Sequence, residues 1–120
     1  MFKKNSHIMM YVNDLNRAVT WYKEKLNFSE IFVVPNSYAS LKHTEMNFKL
    51  DLHPSEADSK DVGFGPMQYF TAKNFDQDMQ SLKDKNVKVG TPRKEGDSPR
   101  FVTFWDSEGN ALGLIEEEVH

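Results

Sequence analysis

Apolar side chains recur at helical spacing over Ala18, Val19, Tyr22 and Leu26, which predicts an amphipathic helix over 15–26. Asp14 stands just ahead of it as an N-cap, its carboxylate suited to accept from the free amides of the first turn, and Asn27 ends it. Before the helix, His7 to Val12 is apolar or aromatic on both faces and reads as a short strand. Ile31 to Val34, Tyr38 to Lys42 and Phe48 to Leu52 read as further strands, separated by Pro35-Asn36-Ser37 and by His43-Thr44-Glu45. The first half is therefore β-α-β-β-β.

The second half repeats that order. Val12-Asn13-Asp14-Leu15 corresponds to Ala72-Lys73-Asn74-Phe75, and Val19 and Tyr22 correspond to Met79 and Leu82. Met67 to Ala72 reads as a strand and Phe75 to Lys85 as a helix. Val87 to Val89, Arg100 to Trp105 and Ala111 to Glu116 read as strands. Asp106-Ser107-Glu108-Gly109-Asn110 is a tight turn in which Gly109 takes positive φ, and Thr91 to Pro99 is an exposed loop. The expected organisation is one domain over 1–120, made of module 1 (6–53), a polar linker (54–66) and module 2 (67–117). Such a duplication predicts two modules enclosing a cleft, with His7 and Met67 at corresponding positions.

Composition narrows the function classes. A hydrophobic fraction of 38% with 28% charged residues fits a folded chain able to bury a core. The net charge of −3 supplies no basic field for a phosphate backbone, so nucleic acid is not an expected partner. No apolar run is long enough for a membrane span, and the start lacks the pattern of a signal peptide, which points to the cytoplasm. With no Cys there is no disulfide, thiolate nucleophile or thiolate metal ligand.

Three stretches carry a family resemblance: His7-Ile8-Met9-Met10-Tyr11-Val12-Asn13-Asp14-Leu15, Ala18-Val19-Thr20-Trp21-Tyr22-Lys23-Glu24-Lys25-Leu26-Asn27-Phe28, and Phe104-Trp105-Asp106-Ser107-Glu108-Gly109-Asn110 with Leu114-Ile115-Glu116. Together with the duplication they resemble the vicinal oxygen chelate superfamily of glyoxalases, bleomycin-resistance proteins and extradiol dioxygenases. The resemblance implies an α+β fold of two tandem βαβββ modules whose mixed sheets curve around a cleft. It also implies a homodimer. The fold hosts lyases, isomerases, dioxygenases and non-catalytic drug binders, so it does not by itself choose among them.

Enzymes of that family hold a divalent metal with one ligand from each of four strands. The resemblance places His7 and Asp51 at two of those positions, but Met67 and Gly113 at the other two. A thioether suits hard or borderline cations poorly, and glycine offers no ligand. His53 shares a face with Asp51 by alternation, so His7, Asp51 and His53 form the one alternative metal set, although Pro54 suggests the strand is ending there. No cofactor is favoured, a divalent metal being the alternative. Asp51, between two leucines, either faces the cavity as a functional group or pairs with Lys49 or Arg100.

By alternation Met9 and Tyr11 share the face of His7, and Tyr69 and Thr71 share the face of Met67. The expected ligand-binding set is His7, Met9, Tyr11, Asp51, Met67, Tyr69 and Trp105, with Tyr38 and Phe64 at the rim and Arg100 helping to orient the ligand. Trp21, Phe70 and Phe104 are expected in the core, and His43 and His120 on the surface without a role. No Ser/His/Asp relay and no phosphate loop is present, and no catalytic residue is assigned. The favoured reading is a metal-independent binder of a small molecule, a drug or a metabolite. One alternative is a metal-dependent lyase, isomerase or dioxygenase of the glyoxalase type with a divergent ligand set. The other is a non-catalytic interaction module.

Overall fold

A computed structural model describes residues 1–2, 7–55 and 61–117. Residues 56–60 of the expected linker, and His120, lie outside the described residues. The chain divides into two compact units, Met1–Gly65 and Pro66–His120, each a β-α-β-β-β unit with one helix and a mixed four-stranded sheet. The fold is α+β. No helix among the described residues is long and apolar enough to cross a membrane.

The first unit runs β1 (Ile8–Val12), α1 (Leu15–Leu26), β2 (Phe28–Val34), β3 (Tyr38–His43) and β4 (Lys49–Pro54). Its sheet order is β1-β4-β3-β2, with β1 parallel to β4 and the other pairs antiparallel. Asp14 caps α1 by accepting from Arg17 N at 3.0 Å, and Asn27 takes the left-handed conformation (φ 62°) while its N–H donates to Tyr22 O. Leu15, Ala18, Val19 and Tyr22 form the buried stripe of the helix, and Met10, Val12, Ala39, Leu41, Leu50 and Leu52 the buried face of the sheet. Tyr22 lies edge-on to Phe28 and donates its hydroxyl to Met10 Sδ at 3.7 Å.

Two boundaries differ from the sequence expectation by more than one residue. β2 starts at Phe28 and not at Ile31, because its register shifts between Glu30 and Phe32 and so breaks the alternation at the point where the strand was expected to begin. β4 continues through His53 to Pro54, which pairs with Val12 of the parallel neighbour, and Ser55 N donates to Val12 O at 2.8 Å. A proline at the last strand position loses little, since the following amide completes the ladder.

The second unit repeats the plan with β5 (Gln68–Ala72), α2 (Phe75–Asp84), β6 (Lys88–Val89), β7 (Phe101–Trp105) and β8 (Ala111–Glu116), ordered β5-β8-β7-β6. Asn74 caps α2 from the position Asp14 holds in the first unit, accepting from Gln77 N at 3.1 Å. Asn86 then takes a left-handed φ of 63°. Phe104, Val102, Leu112, Leu114, Phe75 and Leu82 are buried. The Thr91–Pro99 loop is tied to the sheet where Arg93 and Phe101 exchange backbone hydrogen bonds at 2.8 and 2.9 Å. Gly109 has φ 87° in a turn organised by Asp106, whose Oδ1 accepts from Glu108 N and Asn110 N, both at 2.8 Å.

Candidate functional site

In the first unit α1 covers one face of the sheet, and alternation sends His7, Met9 and Tyr11 to the other, together with Asp51 and His53 of β4 and Tyr38 and Ser40 of β3. Register brings them together. Met9 stands opposite Asp51, Tyr11 opposite His53, and Ser40 opposite Asp51 on the other side.

Asp51 is the polar centre of this face and only 2% exposed. A carboxylate so far out of water must be answered by donors. Ser40 Oγ donates to Oδ1 at 2.7 Å, and the Tyr38 hydroxyl donates to Oδ2. His7 Nε2 lies 3.1 Å from that same Oδ2, with the imidazole 41% exposed. The bond to Asp51, then burial, then the charge of Asp51 push the Tyr38 phenol up to about 12, so it stays a neutral donor at any ordinary pH. Lys49 and Arg100, weighed as partners for Asp51, are not among these groups. Arg100 instead forks onto Asp76 at 3.1 Å and Glu116 at 2.9 Å, above the Phe75 ring.

Aromatic rings continue outward from this polar island. Phe32 stacks on Tyr38 with centroids 6.0 Å apart and planes 17° off parallel. His53 meets Tyr38 and Tyr11 edge-on, each at 5.9 Å. Its Nδ1 lies 2.7 Å from Pro54 O. Met9 and Phe32 are exposed, as is Phe64. His43 has a local role, its Nδ1 accepting from Glu45 N and Met46 N at 3.1 and 3.2 Å.

In the second unit Tyr69, Thr71, Thr103, Trp105 and Gly113 share the face opposite the buried Leu112 and Leu114. Met67 lies just before β5, as His7 lies just before β1. Tyr69 stands in register with Gly113, and a Cβ on that glycine would fall 2.9 Å from Tyr69 Cγ and nearer still to Cδ1 and Cε1. Trp105 lies beside Gly90 at ordinary contact distance, its Cη2 3.5 Å from where a Cβ would be, with Lys88 Nζ 4.9 Å from the ring centroid.

These residues do not fit the divalent cation that the sequence resemblance implies. Both oxygens of Asp51 already accept from hydroxyls, and the glycine at the last position has its side-chain space filled by a ring. Among the described residues no three His, Cys, Asp or Glu side chains gather to hold a metal; His7 and Asp51 meet, but His53 does not complete a set with them. Sequence reasoning missed Ser40 and Phe32 and placed Tyr38 only at the rim. The signal for Ser40 was available: a lone hydroxyl between Ala39 and Leu41 in an otherwise apolar strand.

A sequence model described as Glyoxalase/Bleomycin resistance protein/Dioxygenase superfamily matches residues 4–114. No curated protein matches the chain. Among solved structures it is similar to a member of that superfamily from Sphaerobacter thermophilus DSM 20745, with a TM-score of 0.81 and 20% identity over 97% of this chain and 98% of that one. It is also similar to the fosfomycin resistance protein FosX from Listeria monocytogenes, with a TM-score of 0.77 and 19% identity over 99% and 97%. A third is TnmS3, an antibiotic binding protein from Streptomyces sp. CB03234, with a TM-score of 0.74 and 20% identity over 98% and 100%. A mutant of the Listeria FosX has been solved with Mn(II) and 1S,2S-dihydroxypropylphosphonic acid.

Proposed function

We propose, from the premise that this chain belongs to the Glyoxalase/Bleomycin resistance protein/Dioxygenase superfamily, that it is a metal-independent binder of a small, largely apolar molecule, a drug or a metabolite. The observation that carries the reading is Asp51, each of whose oxygens accepts from a hydroxyl, of Ser40 and of Tyr38, within a surface of aromatic rings. Two hydroxyl donors compete with a cation or a substrate proton for that carboxylate, and its contacts hold Tyr38 and His7 in place beside it. Fully burying an aromatic ring contributes about 1.5–3 kcal/mol, so a few such contacts support micromolar affinity after the costs of association. His7, paired through Nε2, would orient the ligand by its other ring nitrogen. Met9 and Tyr11 extend the proposed ligand-binding residues of the first unit, and Met67, Tyr69 and Trp105 are those proposed in the second. The antibiotic-binding TnmS3 has the same fold, which makes drug sequestration a natural assignment.

The meeting of His7 and Asp51 at 3.1 Å favours one second reading, a metal-dependent enzyme that completes its ligand set with water. Elemental analysis after dialysis with zinc, nickel or manganese separates the two. The binder retains no stoichiometric metal, and its melting temperature rises with members of a chemically diverse library. One equivalent of metal retained by the protein and lost in His7→Ala overturns the binder in favour of the enzyme.

We further propose a homodimer. Its support is β2, an edge strand of the first sheet that exposes Ile31, Phe32 and Val34.

A further inference from the structure

An aromatic side chain opposite glycine in a sheet often does no more than shield the bare backbone. Two features of the second unit go beyond that. The first is steric: the Cδ1–Cε1 edge of Tyr69 occupies the volume a side chain at position 113 would need, so the ring's position depends on the glycine. The second is repetition. On the same sheet face Trp105 leans over Gly90, and Thr103, the register partner of Gly113, lies between the two arrangements with its carbonyl 3.3 Å from the Gly90 Cβ position. One face thus sets a ring beside bare backbone twice, and at Gly113 the ring takes the side-chain space itself. Tyr69 remains 43% exposed, and its uncovered surface faces away from β8.

We infer that Gly113 and Tyr69 act as one specificity element: the glycine admits the ring, the ring forms a floor that selects a planar, π-rich ligand, and the same ring closes position 113 to any side chain that could hold a cation. This rests on the binder reading and names its ligand class. A flat aromatic molecule gains stacking against the exposed ring that a globular apolar molecule of equal bulk does not. The disagreement with a metal centre is therefore more than a missing ligand. Restoring a carboxylate at 113 requires removing the tyrosine as well.

A stability cycle and two neutral probes test this. Gly113→Ala should lower the melting temperature by about 4 °C or more through overpacking. In a Tyr69→Ala background the same substitution should cost nothing, while in Tyr69→Phe, which keeps the ring, it should cost as much as in the parent. Phenazine, flat and aromatic, should bind about tenfold more tightly than 1-adamantanol, which is round and saturated, in the parent and in Tyr69→Phe. Tyr69→Ala should abolish that preference. An equal cost of Gly113→Ala in every background would show that the ring is not seated on the glycine, and the inference falls. It falls equally if neither probe binds, or if the two bind alike with no response to Tyr69→Ala. Alike binding leaves the binder reading standing, whereas a diverse library without a single stabilising compound removes that reading on its own.

Discussion

At Asp51 a buried charge is answered by hydroxyls, and this fixes what its neighbours can do. Ser40→Ala leaves Oδ1 without its donor inside the fold, so it should destabilise by about 1–3 kcal/mol despite removing one atom. Urea unfolding followed by tryptophan fluorescence measures it, and a cost within error of zero would mean water replaces the hydroxyl. Tyr38 gives a second expectation, in alkaline solution. Its phenol is raised from 10.0 to about 12 by the bond to Asp51, so between those values the folded chain holds a proton that the unfolded chain has released. The stability it contributes is therefore complete below pH 10 and lost as the pH rises through 12. Phenolate absorbance should show one late-titrating tyrosine that Tyr38→Phe removes, and the variant should lose less stability than the parent across that window. Asp51 could be picked from the sequence because a carboxylate between two leucines is conspicuous. That Ser40 and Tyr38 are the residues bonded to it could not, because the pairing depends on the β3–β4 register, which alternation along one strand leaves undetermined.

The elements were legible where periodicity or capping chemistry is strong. Both helices lie within a residue of their expected ends, since Asp14 and Asn74 supply the caps and Asn27 and Asn86 the left-handed exits. Edge strands were harder: the bulge between Glu30 and Phe32 hides the start of β2, and β6 has only two residues. Arg100 shows the same limit. Expected near the ligand, it instead joins the approach to β7, the end of β8 and the first turn of α2 through Asp76 and Glu116. The guanidinium holds both carboxyls below their ordinary values of 3.8 and 4.5. Their contribution is thus present above about pH 4.5 and lost as the pH falls below it. Because the pairs are solvent-exposed, the effect should be small and should fade in salt. Acid titration of the melting temperature should be shallower in Arg100→Gln than in the parent at low ionic strength, and the two curves should converge in molar salt.

For the molecule as a whole, duplication was the most legible property, because the cap, helix stripe and first strand recur in the same order in both halves. A function was not, since one fold serves catalysts and binders alike and the deciding contacts lie between strands. Sedimentation at micromolar concentration should give twice 13.9 kDa, and Phe32→Glu on the exposed edge should shift it toward the monomer. A monomer in the parent would leave that edge serving only its own chain.

In each unit the strand made first is hydrogen-bonded to the strand made last, β1 to β4 and β5 to β8, in parallel. The opening strand has no backbone partner until most of its unit has been synthesised, while the antiparallel strands after the helix can zip to their immediate neighbours. Closing the long loop costs entropy before any bond repays it, so β1 and β5 should be the slowest to gain protection in pulsed hydrogen exchange during refolding. On the ribosome, residues 8–12 must then wait, apolar and unpaired, until 49–54 emerge. That interval is when the nascent chain is most exposed to aggregation and most in need of a chaperone.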